Sequence, residues 1–256
     1  MPDVITTELN ENVFTIRLNR PEAMNAFNSE MVDQLYKAIE ISKNDYRIRA
    51  IVITGNGNCF SAGADLKMFI DWDKSKRDSF ASITKKFHRI IIDIRRLGKP
   101  VIAAINGIAY GVGFSLAMSC DLRIASNDAR FKQAYTSIGL VPDGGWTLSV
   151  ARQIGMAKTC ELLLQDPVME AEELLKLGLL NRIVTRDKLE DLSIQIANEA
   201  SGKSLNAFAL AKELVNKSIY YDLENQLEAE IKAIIEATVT DDFRKGITAF
   251  LKRRNS

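Results

Sequence analysis

The chain has 256 residues, 46% hydrophobic and 26% charged, with a formal net charge of +1. Its length suits one compact domain with a smaller appendage, and its balanced charge excludes the electrostatic field that draws nucleic acid. Three widely spaced cysteines (Cys59, Cys120, Cys160) and a single histidine exclude a disulfide framework and a cysteine- or histidine-based metal centre.

Phe14, Ile16 and Leu18 alternate with Thr15, Arg17 and Asn19, which predicts a strand with one buried face. Arg20-Pro21 ends it. Asn28 or Ser29 then caps a helix whose apolar residues Met31, Leu35, Ala38 and Ile39 fall on one stripe. A strand over 50–54 follows. Residues 67–77 are polar with scattered aromatics, Phe69 and Trp72, and predict a mobile loop or short helix over a pocket. A helix over 80–97 is broken by Lys99-Pro100 before an apolar strand over 100–105. Leu122-Arg-Ile-Ala125 and Phe131 continue the alternation, and strands separated by helices argue an α/β fold. Beyond Gly155 the pattern turns helical, over 157–164, 170–177, 187–200, 206–220 and 223–238. Ser201-Gly-Lys-Ser204 reads as a hinge between a core of residues 1–200 and a helical region of residues 201–256. Leu210, Leu214 and Val215 give that region an apolar face it cannot bury alone. The opening Met-Pro-Asp-Val is unlike a signal sequence, no apolar run reaches membrane length, and the final Arg-Asn-Ser is no peroxisomal address. The expectation is a soluble cytoplasmic protein with reduced thiols.

Two stretches carry the chemistry: Cys59-Phe-Ser-Ala-Gly-Ala-Asp-Leu-Lys67 and Asn106-Gly-Ile-Ala-Tyr-Gly-Val-Gly-Phe-Ser-Leu-Ala-Met-Ser-Cys-Asp121. Each follows an apolar strand and places small residues at a turn leading towards a helix, where a ligand can approach unpaired backbone N–H groups. Brought together, two such turns could aim two donors at one oxygen, as an oxyanion hole does. Alone, Gly111-Val-Gly113 reads first as a tight turn before a packed helix. A dinucleotide fingerprint is excluded because Leu116 stands where a third glycine is needed, and no Gly-Lys-Ser/Thr phosphate loop occurs.

With Asn19-Arg-Pro-Glu-Ala-Met-Asn-Ala-Phe27 and Ile138-Gly-Leu-Val-Pro-Asp-Gly-Gly145, the two turns resemble the crotonase (enoyl-CoA hydratase/isomerase) superfamily over nearly the whole chain. The resemblance implies an α/β fold with a crotonase-like ββα spiral core and a C-terminal helical trimerisation region. It implies that the backbone N–H groups of Ala64 and Val112 hold the thioester oxygen of an acyl-CoA. Val112 departs from the usual glycine, and its β-branched side chain narrows the space beside the thioester. Coenzyme A would be bound as part of the substrate, with no separate cofactor. Ala26, Ala62, Asp65, Leu66 and Lys67 would line its path. A homotrimer or dimer of trimers is implied, with Phe250 against a neighbour's adenine and Lys252 or Arg253 on the ribose phosphate.

Hydratases of this family use two glutamates, and the matching positions here are Ser115 and Tyr135. Two-glutamate hydration is therefore not expected. Asp143 stands where double-bond and ring-type isomerases carry their acidic residue. Pro-Asp-Gly-Gly is also a strong turn sequence, so the residues alone leave turn and base open, and the resemblance favours the base. Tyr135 reads first as a wall residue, or else as a hydrogen-bonding partner of the acyl group. His88 reads as a face or pocket-wall residue of its helix, and Asp65 and Asp121 as local caps or pairs. The leading expectation is an acyl-CoA isomerase of the Δ3,Δ2-enoyl-CoA type. The rivals are a ring-type (epoxyphenylacetyl-CoA/oxepin-CoA) isomerase, an enoyl-CoA hydratase and a non-catalytic CoA-binding paralogue.

Overall fold

The computed structural model describes residues 3–69 and 73–254, with the side chains of Lys74, Arg253 and Arg254 outside the description. In chain order the elements are β1 (Ile5–Asn10), β2 (Val13–Leu18), α1 (Ser29–Asn44), β3 (Ala50–Gly55), β4 (Cys59–Ser61), α2 (Lys74–Arg96), β5 (Val101–Ile105), β6 (Ile108–Tyr110), α3 (Val112–Ser119), β7 (Leu122–Ser126) and β8 (Arg130–Lys132). They continue with α4 (Trp146–Gln165), β9 (Met169–Glu170), α5 (Ala171–Lys176), β10 (Arg182–Val184), α6 (Arg186–Ser201), α7 (Leu205–Ile219), α8 (Leu223–Ala237) and α9 (Asp241–Arg254). Three times a long strand is followed by a short one and then by a helix. The long strands join one sheet, in the order β1-β2-β3-β5-β7-β10, and the short ones a second, β4-β6-β8-β9. Apart from the β1–β2 and β8–β9 pairs, neighbours run parallel.

The larger sheet is covered on both faces. Val13, Val52, Ile102 and Ile124 pack under α6, through Leu189 and Ala197, while Phe14, Ile16, Ile51 and Ile53 face the main core. This corrects the one-faced reading of β2. Thr15 is buried, and Arg17 pairs with Glu190 of α6.

α1 starts at the expected cap, where the Asn28 side chain accepts the Met31 N–H at 2.8 Å. α2 starts six residues before the expected helix, because Asp73 caps it by accepting the Lys76 N–H. Of the expected loop before it, Leu66–Phe69 is a 3-10 turn, and Trp72 lies outside the described residues. α4 starts well before residue 157, with a non-helical break at Gly155. The 201–204 segment, expected as a hinge, is held by the Arg49 guanidinium, which donates to the Ser201 and Lys203 carbonyls. No described helix is long and apolar enough to cross a membrane.

Candidate active site

Between β4 and the 3-10 turn, Gly63 adopts a φ of 104°, and a Cβ there would come within 3.2 Å of the Tyr110 carbonyl oxygen. Phe27 donates its N–H to Gly63 and accepts the Asp65 N–H, both at 2.8 Å. Those bonds bracket Ala64 and leave its own N–H out of the pairing. The second turn arrives beside it. Gly111 has a φ of 51° and lies against Gly63, and Gly113 sits so close to Ser61 that a Cβ would fall 2.7 Å from that side chain. Only glycine permits this seating of α3 on β4. Val112 then begins α3, where its N–H has no partner within the helix. Among the described residues neither N–H meets an acceptor. Ala64 and Val112 line both an outer cleft of about 560 Å³ and a narrow inner chamber of about 40 Å³.

The inner chamber is walled by Phe27, Phe69, Phe80, Phe87 and other apolar side chains, and Asp143 opens onto it. Asp143 is 2% exposed, and among the described residues its carboxylate is held at one oxygen: Tyr135 donates its hydroxyl to Oδ1 at 2.6 Å. The Ser115 hydroxyl donates to the Asp143 carbonyl at 2.7 Å. The next two amides are also gripped. Gly144 donates its N–H to His88 Nε2 at 3.1 Å, and Gly145 donates to Glu230 Oε2 at 2.8 Å. Thr147 donates its hydroxyl to the other Glu230 oxygen.

His88 Nε2 is 3.8 Å from Asp143 Oδ2, beyond hydrogen-bond reach. Nε2 accepts the Gly144 N–H instead, and Nδ1 is buried without a partner among the described residues. The hydroxyls of Ser115 and Tyr135 are both tied to Asp143, and no lysine or arginine pairs with it among the described residues. Burial, then the charge of Asp143 and the hydrogen bond to it, push the Tyr135 phenol well above its ordinary value, so it remains a donor. Burial likewise pushes the Glu230 carboxyl up to about 7.

Ala26, Ala62, Asp65, Leu66, Tyr135 and Phe250 all line the outer cleft. Asp65 pairs with Arg20 at 3.0 Å and accepts the Lys67 N–H, the local role expected for it. Asp121 likewise pairs with Arg95 and Lys212. Lys67 is exposed, and the Arg253 side chain lies outside the described residues. Phe250 lines the outer cleft of its own chain. Gly246 of α9 abuts Ile138 and Gly139 abuts Phe243, so closely that a Cβ at either would fall 2.7 Å from backbone. Tyr135 is more than a wall residue, since its hydroxyl bonds the carboxylate. Glu230 was not anticipated, although a glutamate in line with Leu223, Leu227 and Ile234 on the buried face of α8 is legible as a buried acid. His88 was placed on a wall, and its contact with Gly144 was not foreseen.

The fold is that of solved crotonase structures, and the chain belongs to the enoyl-CoA hydratase/isomerase family, whose model matches residues 8–256. The chain is 34% identical to the short-chain-enoyl-CoA hydratase of Clostridium acetobutylicum, over 98% of this chain and 95% of that one. It is 32% identical to the 1,2-epoxyphenylacetyl-CoA isomerase of Escherichia coli, over 100% of this chain and 98% of that one. Among solved structures, the enoyl-CoA hydratase of Bacillus halodurans superposes with a TM-score of 0.90 at 28% identity, covering 96% of this chain and 99% of that one.

Proposed function

We propose that the chain is an acyl-CoA isomerase that moves an enoyl-CoA double bond through a dienolate. The observation that carries the reading is the Asp143 carboxylate on the inner chamber, with hydroxyls rather than carboxylates at Ser115 and Tyr135. Oδ2, the oxygen not bonded by Tyr135, removes a proton from C2 of a 3-enoyl thioester. The electron pair moves into the conjugated system, and the negative charge collects on the thioester oxygen between the Ala64 and Val112 N–H groups. Each donor of that kind contributes about 3–4 kcal/mol. The protonated Asp143 then returns the proton to C4, giving the 2-enoyl thioester and regenerating the carboxylate. No water is consumed, and coenzyme A acts only as part of the substrate.

The aromatic walls of the chamber, with the similarity to the E. coli isomerase, also favour a ring-bearing acyl group as substrate for the same acid. A homotrimer or dimer of trimers is part of the proposal. Leu210, Leu214 and Val215 of α7, all at least 49% exposed, support it as a face that needs covering. Purified protein incubated with 3-enoyl-CoA and 2-enoyl-CoA tests the chemistry. Isomerisation leaves the mass unchanged, while hydration adds a water. Asp143→Asn should lower isomerase kcat by at least about a hundredfold. Strong hydration by the native chain, or near-native isomerisation by Asp143→Asn, overturns the reading.

A further inference from the structure

Leu223, Leu227, Glu230 and Ile234 recur at spacings of four, three and four along α8, and each is at most 4% exposed. A carboxylate in such a stripe is costly to bury unless its oxygens are occupied. Both are, and both by the segment that follows Asp143. Oε2 accepts the Gly145 N–H at 2.8 Å, and Oε1 accepts the Thr147 hydroxyl. Thr147 Oγ1 in turn accepts Gln226 Nε2 at 2.7 Å, one turn earlier on α8.

Gly144 and Gly145 have φ values of 66° and 75°. A pair of glycines has more conformational freedom than any other pair, so the place of Asp143 depends on what holds the turn from outside. Two consecutive peptide groups are held by three helices: the Asp143–Gly144 peptide at its carbonyl by Ser115 of α3 and at its N–H by His88 of α2, and the Gly144–Gly145 peptide at its N–H by Glu230 of α8. Of these anchors only Glu230 grips the segment with both oxygens of one side chain, at the Gly145 N–H and at the Thr147 hydroxyl.

We propose that Glu230 is a positioning residue for the Asp143 base, fixing the Gly144–Gly145 turn from α8 so that the carboxylate stays on the inner chamber. The inference rests on the reading of Asp143 as the base. Glu230→Met fills the same space and leaves the Gly145 N–H without its acceptor, whereas Glu230→Gln keeps a carbonyl oxygen for it.

The experiment measures kcat and KM with 3-enoyl-CoA for the full chain. Glu230→Met should lower kcat by about thirtyfold, because a misplacement on the order of 1 Å can cost about a hundredfold, with KM moving less than about threefold. Glu230→Gln should keep at least about a third of native kcat. Added to Asp143→Asn, Glu230→Met should lower residual turnover by no more than about threefold, since a residue that acts through the base has little left to remove. Thr147→Val, which removes the hydroxyl that orients the same carboxylate, should lower kcat about fivefold and decides the matter should the Met variant not fold.

Native kcat in Glu230→Met, or in Thr147→Val where the Met variant does not fold, overturns the inference alone, provided Asp143→Asn is inactive. A full thirtyfold loss on top of Asp143→Asn does the same. Near-native turnover by Asp143→Asn overturns the base and the inference with it.

Discussion

Replacing Glu230 with Gln should change how stability depends on pH. Burial raises the Glu230 carboxyl from an ordinary 4.5 to about 7, against the opposing hydrogen bonds from Thr147 and Gly145. Between those values the folded chain binds a proton that the unfolded chain releases, so stability falls as pH rises through this window. Above the window the penalty is fully present, and below it the penalty is gone. At about 1.4 kcal/mol per pH unit, the window is worth about 3 kcal/mol. Most of it separates pH 5 from pH 8. The Gln variant does not titrate, and the fixed cost of its altered hydrogen bonds is the same at both values. Relative to the native chain, Glu230→Gln should therefore gain about 2 to 3 kcal/mol on going from pH 5 to pH 8. Reversible urea unfolding of both proteins, at one protein concentration and at both pH values, measures it. A gain below about 1 kcal/mol would refute the reasoning, because Glu230 would then titrate alike in both states.

Tyr135→Phe removes the hydroxyl on Asp143 Oδ1 and should cost about 2 kcal/mol of stability, the usual worth of a hydrogen bond to a charged group, measured by urea midpoints. The same variant should lose about tenfold in kcat as the carboxylate loses its fixed orientation. Phe250→Ala should raise KM for acyl-CoA about fivefold in steady-state kinetics, the worth of one aromatic face.

The two turns were readable because steric necessity is written into single residues. Gly63 and Gly113 stand where a side chain would crowd backbone or a neighbouring strand, Gly111 holds a φ of 51° that favours glycine, and their spacing survives without the fold. Asp143 was readable as a turn or a base for the same local reason. Its holders were not, since His88, Ser115 and Glu230 reach it from three separate helices, across chain separations that no periodicity records. The start of α2 escaped because residues 74–79 offer little apolar pattern, and a single cap at Asp73 begins the helix. β2 looked one-sided because Thr15 and Arg17 are polar. The α6 helix that covers their face lies more than 160 residues away in sequence.

The inner chamber, at about 40 Å³, has room for about three water molecules. A longer acyl tail must therefore do mechanical work on the walls. Phe69 meets Phe80 and Phe243 edge-on, with ring centres 5.2 Å and 5.3 Å apart. Burying each further methylene gains about 0.8 kcal/mol, while parting one such ring pair forfeits about 0.5–1.5 kcal/mol. On the proposed function, preference for acyl length would then follow how far three rings yield. One of those rings belongs to α9, so the last helix of the chain, whose Phe250 lines the outer cleft, also backs the wall of the inner chamber.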